Sequence, residues 1–219
     1  MTGTTERSQR HAAPPASKAE SILAAAKRTF LHSGFEAVSM DTIAREAGVS
    51  KATVYAHFAG KEELFGAVIG RECERYLAGF SAGELDAGDV RASLTTLGRR
   101  FLELLLSPDA IALHRIILGE VSRFPALGEV FWHAGPERNL AQIEKFLRAA
   151  AAAGSLAIPE ARLAAEQFVG LVRVETQLRH LLRLDRGLDP GAGRPQTRAG
   201  VSAAVDTFLR AFARPAAAR

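Results

Sequence analysis

Hydrogen-bond donors are concentrated between residues 39 and 61: Ser39, Thr42, Ser50, Lys51, Thr53, Tyr55, His57 and Lys61. Hydroxyl, imidazole and ammonium groups of this kind hold phosphate oxygens, and Lys51 and Thr53 could also reach base edges. Ala52, small and set among them, lets the backbone that carries them approach a partner closely. The rest of the chain offers no competing chemistry. Paired carboxylates, a Ser/His/Asp set, a His-Glu-x-x-His run, Cys/His clusters and phosphate-binding glycine loops do not occur, and the six His are scattered. An enzyme is not expected, and neither is a cofactor or a metal.

The elements that must position these donors are short helices. Ile43, Ala44 and Ala47 put small and apolar groups on one helical stripe. Ser39 stands just before them as an N-cap, and Gly48 follows, where a left-handed residue ends a helix at little cost. Val49 points inward, Ser50 is a second N-cap, and Lys51 to His57 form a second helix with Val54 and Phe58 on its inner face. This is the pattern of a helix-turn-helix, in which the second helix lies in a DNA major groove. Upstream, Ser17 and Glu20 make a capping box that opens a helix with Ile22, Leu23, Ala26, Phe30 and Leu31 at helical spacing. Gly34 ends it, and Phe35 and Val38 pack back on the head. A fourth helix starts at Gly60-Lys61-Glu62 and runs through Phe65, Ile69, Cys73, Tyr76 and Phe80, a lever out of the head. Lys61 lies at its N-terminal end, where an ammonium and free N–H groups could meet a phosphate.

This stretch, about residues 18–65, resembles the TetR family of bacterial transcriptional regulators (TetR/AcrR type). The matching residues include Phe30, Gly34, Phe35, Ser39, Ile43, Ala44, Ala47, Gly48, Val49, Ser50, Thr53, Tyr55, Phe58, Lys61, Glu62 and Leu64. The resemblance implies an all-α fold: an N-terminal three-helix DNA-binding head, joined by the fourth helix to a larger helical ligand-binding and dimerisation domain. It further implies a homodimer, usually a repressor, controlled by a small molecule. Ala52 stands where many members have Gly, a minor change. Ala56 stands where many have a large or polar residue, which puts one backbone contact in doubt.

The same resemblance implies a cavity between the fourth helix and those that follow. The candidates to line it are Phe101, His114, Phe131, Trp132, Phe168 and Val172, with Glu175 and Arg173 as polar anchors. So apolar a lining suits a hydrophobic or aromatic small molecule. The segment from Leu113 to Leu140 also resembles a C-terminal subgroup common among regulators of efflux and stress genes.

The bulk numbers are compatible with this reading without demanding it. A chain of 219 residues, 47% hydrophobic, can bury a sizeable core, and its net charge is +4 with a pI near 9.6. Residues 1–70 hold eight Lys/Arg against seven acids, a net of +1, so a DNA contact depends on placement rather than on bulk charge. The single cysteine, Cys73, rules out an internal disulfide, suits a reducing cytoplasm, and on an apolar helix face reads as a buried small residue. No apolar run approaches the ~18–20 residues that span a bilayer, and the N-terminus has no signal-peptide core, so a cytoplasmic protein without membrane partners is expected.

The expected organisation is a disordered arm over 1–16, a helix-turn-helix domain over 17–64, an effector-binding and dimerisation domain over 65–213, and a frayed tail over 214–219. From Val90 onward helix follows helix, with breaks at Ser107-Pro108, before Pro125, at Gly135-Pro136 and at Gly154. One long helix is expected from Pro159 to about Leu184 and a last one over about 197–213. Both are apolar on more than one face, which fits pairing with their mates in a second copy. Two heads on a fixed frame, about 34–36 Å apart, would then read a palindromic double-stranded operator. The alternative is a DNA-bound architectural or assembly factor of the same fold without a metabolite, which a cavity-free C-terminal domain would favour.

Overall fold

The computed structural model describes residues 17–77, 85–184 and 195–214. The arm expected over 1–16, Phe80, residues 81–84 of the 81–89 loop and nearly all of the 214–219 tail lie outside these residues. The described residues form α1 (Lys18–Ser33), α2 (Met40–Ala47), α3 (Lys51–His57), α4 (Lys61–Leu77), α5 (Val90–Leu105) and α6 (Pro108–Glu120). They continue with α7 (Pro125–Ala134), α8 (Pro136–Ala152), α9 (Ala161–Val172), α10 (Val174–Leu181) and α11 (Pro195–Phe212). An isolated bridge between Leu156 and Ala213 is the one strand-like pairing among them.

Local chemistry sets the helix ends. The Ser17 hydroxyl accepts the Glu20 N–H at 3.2 Å, and the Glu20 carboxylate accepts the Ser17 N–H at 3.3 Å, a reciprocal capping box. Ser39, Ser50, Asp89, Ser107 and Glu160 each accept an N–H from the first turn of the helix they precede. Gly48 closes α2 at φ 67°, a left-handed conformation that favours glycine, and its N–H reaches the carbonyls of Ala44 and Arg45. Proline opens α6, α7 and α8, where its missing N–H would have had no helical partner.

The long helix expected from Pro159 to Leu184 is two helices. Glu160 caps α9, and the helix breaks at Arg173, whose φ and ψ are −70° and 1°. A contact distant in sequence holds the far end of the second of them. The Arg115 guanidinium of α6 donates to the carbonyls of Leu181, at 3.0 Å, and His180. Arg115 thereby fixes the C-terminal end of α10 against α6. Arg173 itself donates to Gln177 at 2.6 Å across the break.

Two apolar cores organise the chain. One joins α5, α8, α9 and α11 through Leu94, Leu97, Phe146, Leu147, Phe168, Val205 and Phe208. The other holds the head, through Ile22, Phe30, Phe35, Ile43, Val54 and Leu64, but does not stop there. It continues into Phe65, Val68 and Ile69 of α4, Leu113 and Ile117 of α6, and Leu127 of α7. Phe65 meets Phe30 and Phe35 edge-on at centroid distances of 5.1 and 5.5 Å, and Phe35 meets Phe124 at 5.6 Å.

α6 is therefore shared between head and body. At its N-terminal end Asp109 pairs with Lys27 of α1 at 2.5 Å. Just beyond its C-terminal end Arg123 makes a two-pronged contact with the Glu36 carboxylate, and Glu120 accepts the Glu36 N–H at 3.4 Å.

Candidate nucleic-acid interface and internal cavity

α3 stands clear of the head on one side. Val54 and Phe58 are buried, whereas Lys51, Ala52, Tyr55, Ala56 and His57 are exposed, Tyr55 by 47%. The hydroxyls expected to meet DNA already work at the helix starts. Ser39 Oγ accepts the Thr42 N–H at 3.1 Å and lies 3.0 Å from Thr42 Oγ1. Ser50 Oγ accepts the Thr53 N–H at 3.1 Å and lies 2.8 Å from Thr53 Oγ1. One hydroxyl proton bridges each pair, which leaves the other to be donated outward from a helix N-terminus.

The two lysines of the interface are differently placed. The Lys51 ammonium lies 2.8 Å from one Asp41 oxygen and 3.1 Å from the other, in full contact with solvent. The hydrogen bond and charge of Asp41 hold it above the ordinary lysine value. A pair so exposed is weak, so Lys51 can exchange Asp41 for a phosphate at little cost. Lys61 departs from expectation. Its ammonium donates to the carbonyls of Phe35 at 2.8 Å and Glu36 at 3.1 Å, and sits 4.4 Å from the centre of the Phe35 ring. Two of its three N–H groups thus close the turn after α1, leaving one for a phosphate.

A cavity of about 190 Å³ lies among α4, α5, α6, α7, α8 and α9. Of the candidates, Phe101, His114, Phe131 and Trp132 line it, as does Arg173. Phe168 and Val172 do not. Both are fully buried in the core that joins α5, α8, α9 and α11, where Phe168 meets Phe208 edge-on at 5.4 Å and both pack over Gly98. α9 turns this stripe toward α5 and α11 because Gly98 and Val201 offer a close apolar seat there. Glu175 falls outside the side chains described.

His114 forms part of the wall. Its Nδ1 lies 2.9 Å from the Ala110 carbonyl, and its ring meets Phe131 edge-on at 5.0 Å. Burial holds the imidazole below its usual value; the Ala110 carbonyl opposes this and the Arg173 charge adds to it.

Sequence reasoning passed over four polar groups here: Glu72, the Cys73 thiol, Asn139 and, exposed on α9, Glu166. Burial pushes Cys73 up to about 11, a protonated, unreactive thiol, and Asn139 points its amide at the sulfur from 3.9 Å. Glu72 is 95% buried (relative exposure 5%). Its Oε1 accepts from Lys27 at 2.7 Å. Its Oε2 pairs with Arg75 at 3.4 Å but accepts no hydrogen bond. A carboxylate at helical spacing with Phe65, Ile69 and Tyr76, on an otherwise apolar stripe, was the available signal.

An exposed, capped second helix on a three-helix head, carried by an all-helical body, defines a helix-turn-helix DNA-binding regulator. The chain belongs to the TetR family of such regulators. The profile described as bacterial regulatory proteins, tetR family, matches residues 22–68, and that of the AefR-like transcriptional repressor C-terminal domain matches residues 92–214. Among solved structures, the Flavonoid-responsive Regulator FrrA is 37% identical, with 91% of this chain and 98% of that one covered at a TM-score of 0.73. A TetR-family regulator from Mesorhizobium loti is 25% identical over 90% of this chain and 97% of that one, at a TM-score of 0.71. The HTH-type transcriptional activator FasR of Mycolicibacterium smegmatis is 34% identical over 84 residues, which is 38% of either chain. UidR of Escherichia coli is 42% identical over 59 residues, 27% of this chain and 30% of UidR. The chain thus spans only about a third of the length of these curated relatives. None of the described helices is long and apolar enough to cross a membrane.

Proposed function

We propose that the protein is a homodimeric repressor that leaves a palindromic operator when a small hydrophobic ligand enters its internal cavity. The observation that carries this reading is the position of α6. Ala110, Leu113 and His114 of that helix wall the cavity, while Leu113 and Ile117 belong to the core of the DNA-binding head. A ligand larger than the cavity displaces α6, and α6 cannot move without disturbing the head. An apolar hollow of ~150 Å³ holds a benzene ring, so 190 Å³ admits one ring and a larger molecule must push the wall aside. Flavonoids are multi-ring aromatics, and the similarity to the flavonoid-responsive regulator FrrA supports an aromatic effector here. The cavity also disfavours the architectural alternative, which predicted a solid body. The ligand acts only as far as it prefers the state that does not bind DNA.

Repression is supported by the C-terminal profile, which matches over more than half of the chain, whereas the likeness to the activator FasR covers 84 residues. Dimerisation is supported by a row of apolar side chains on α9 and α10. Leu163, Leu171, Leu178 and Leu182 are exposed by 51, 39, 58 and 59%. Beside them Gly170 has no heavy atom near its missing Cβ, so another backbone can approach closely. Single exposed leucines mean little, but four within twenty residues of α9, α10 and the residue after it are apolar surface that a second copy would cover.

The test is selection of double-stranded DNA from a random pool by the full-length protein, with sedimentation of the protein and of the complex. The reading expects an enriched palindrome bound by one dimer. Enrichment of a single undivided half-site, or a monomer at micromolar concentration, overturns it.

A further inference from the structure

Glu72 is the least expected group in the cavity wall. It sits among Ile69, Phe101, Leu104, Phe131 and Leu140, yet it carries a carboxylate. One oxygen is committed to Lys27 of the head. The other has almost no exposure and accepts no hydrogen bond, although it is ion-paired with the Arg75 guanidinium at 3.4 Å. A buried acceptor left in this state loses the hydration it would have in water without full replacement, which makes it a strong acceptor for any donor that reaches it.

Building on the cavity as an effector site, we propose that Glu72 is its polar anchor. It takes the hydroxyl of a small phenol-like aromatic on Oε2, and it passes occupancy to the head through Lys27. The apolar wall, with His114 and Phe131 in it, receives the ring. The coupling follows from charge sharing. Glu72 and Asp109 together hold the Lys27 ammonium, at 2.7 and 2.5 Å, and so tie α4 and α6 to α1 of the head. A hydroxyl donated to Oε2 draws carboxylate charge toward the ligand and away from Lys27. By reciprocity, a group that weakens the Lys27 contact on binding must bind more tightly when Lys27 is gone.

The probes are phenol and toluene, near-equal in size and different in one donor, titrated into the full-length dimer by calorimetry. Phenol is expected to bind at least tenfold more tightly than toluene. Glu72→Gln should bring the two within about threefold, and Lys27→Met should raise phenol affinity severalfold while leaving toluene unchanged. If both probes bind equally to the native protein, or if the preference survives in folded Glu72→Gln protein, the anchor is refuted while the cavity stands as an effector site. If neither probe binds, the cavity reading fails and the anchor with it. If Lys27→Met leaves phenol affinity unchanged, the link to the head is refuted. The native comparison and Lys27→Met decide the matter even if Glu72→Gln fails to fold.

Discussion

Tyr55 and Lys61 both fall on the predicted DNA face, but their surroundings assign them different work. Tyr55 is half exposed on the outer side of α3. Tyr55→Ala should weaken binding to every duplex by about tenfold, the cost of a hydrogen bond to a charged group, without changing the unfolding midpoint. Lys61 is bound to the carbonyls of Phe35 and Glu36. Lys61→Met should therefore cost about 1–2 kcal/mol of stability in urea unfolding, while the slope of log affinity against log salt changes by less than one. A full unit of slope with no loss of stability would make Lys61 a phosphate ligand after all. His114 gives a pH signature. Its folded value is below its unfolded one, so protonation favours the unfolded chain. Stability should be complete above pH about 6.5 and decline as pH falls below it. Replacing His114 by Phe should flatten that decline in thermal melts between pH 7 and 5.

Among the elements, α6 is the one whose role exceeds its length. Head and body were expected to divide near Leu64, yet the core of the head runs on through Ile69, Leu113, Ile117 and Leu127. Ile117 lies outside the cavity wall, far in sequence from the head. Ile117→Ala should cost about 2–5 kcal/mol, and hydrogen exchange should show amides of α2 losing protection together with those of α6. Loss confined to α6 would mean that the head is an independent unit and that the cavity has no rigid route to it. The exposed Arg123–Glu36 pair adds orientation more than energy at the far end of the helix.

For the whole molecule, the decisive surface is the leucine patch on α9 and α10. Leu163 and Leu171 lie on α9, Leu178 on α10 and Leu182 just past its end, all exposed in the single chain. Leu178→Glu should shift the protein to monomer in sedimentation while leaving its helical circular dichroism intact, because Leu178 is 58% exposed in the single chain. Loss of the second head should lower operator affinity by about 10²-fold or more.

What the sequence by itself determined is short-range. Ser17, Ser39 and Ser50 declare three helix starts, Gly34 and Gly48 two stops, and apolar spacing shows which side of α3 is covered. These signals are readable because a cap or a helical stripe involves residues three or four apart. They were enough for the helix-turn-helix and the outward face of α3, and the all-α fold followed from the family resemblance they carry. Tertiary structure alone decided that the expected 159–184 helix is two helices with Arg115 bonded to the end of the second, that Lys61 bonds the Phe35 carbonyl, and that Phe168 and Val172 pack in the core. It also decided that Glu72 faces the cavity. Each of these outcomes joins groups tens of residues apart, and which distant surfaces meet depends on how all the helices share two cores at once. No local pattern in the chain encodes that competition.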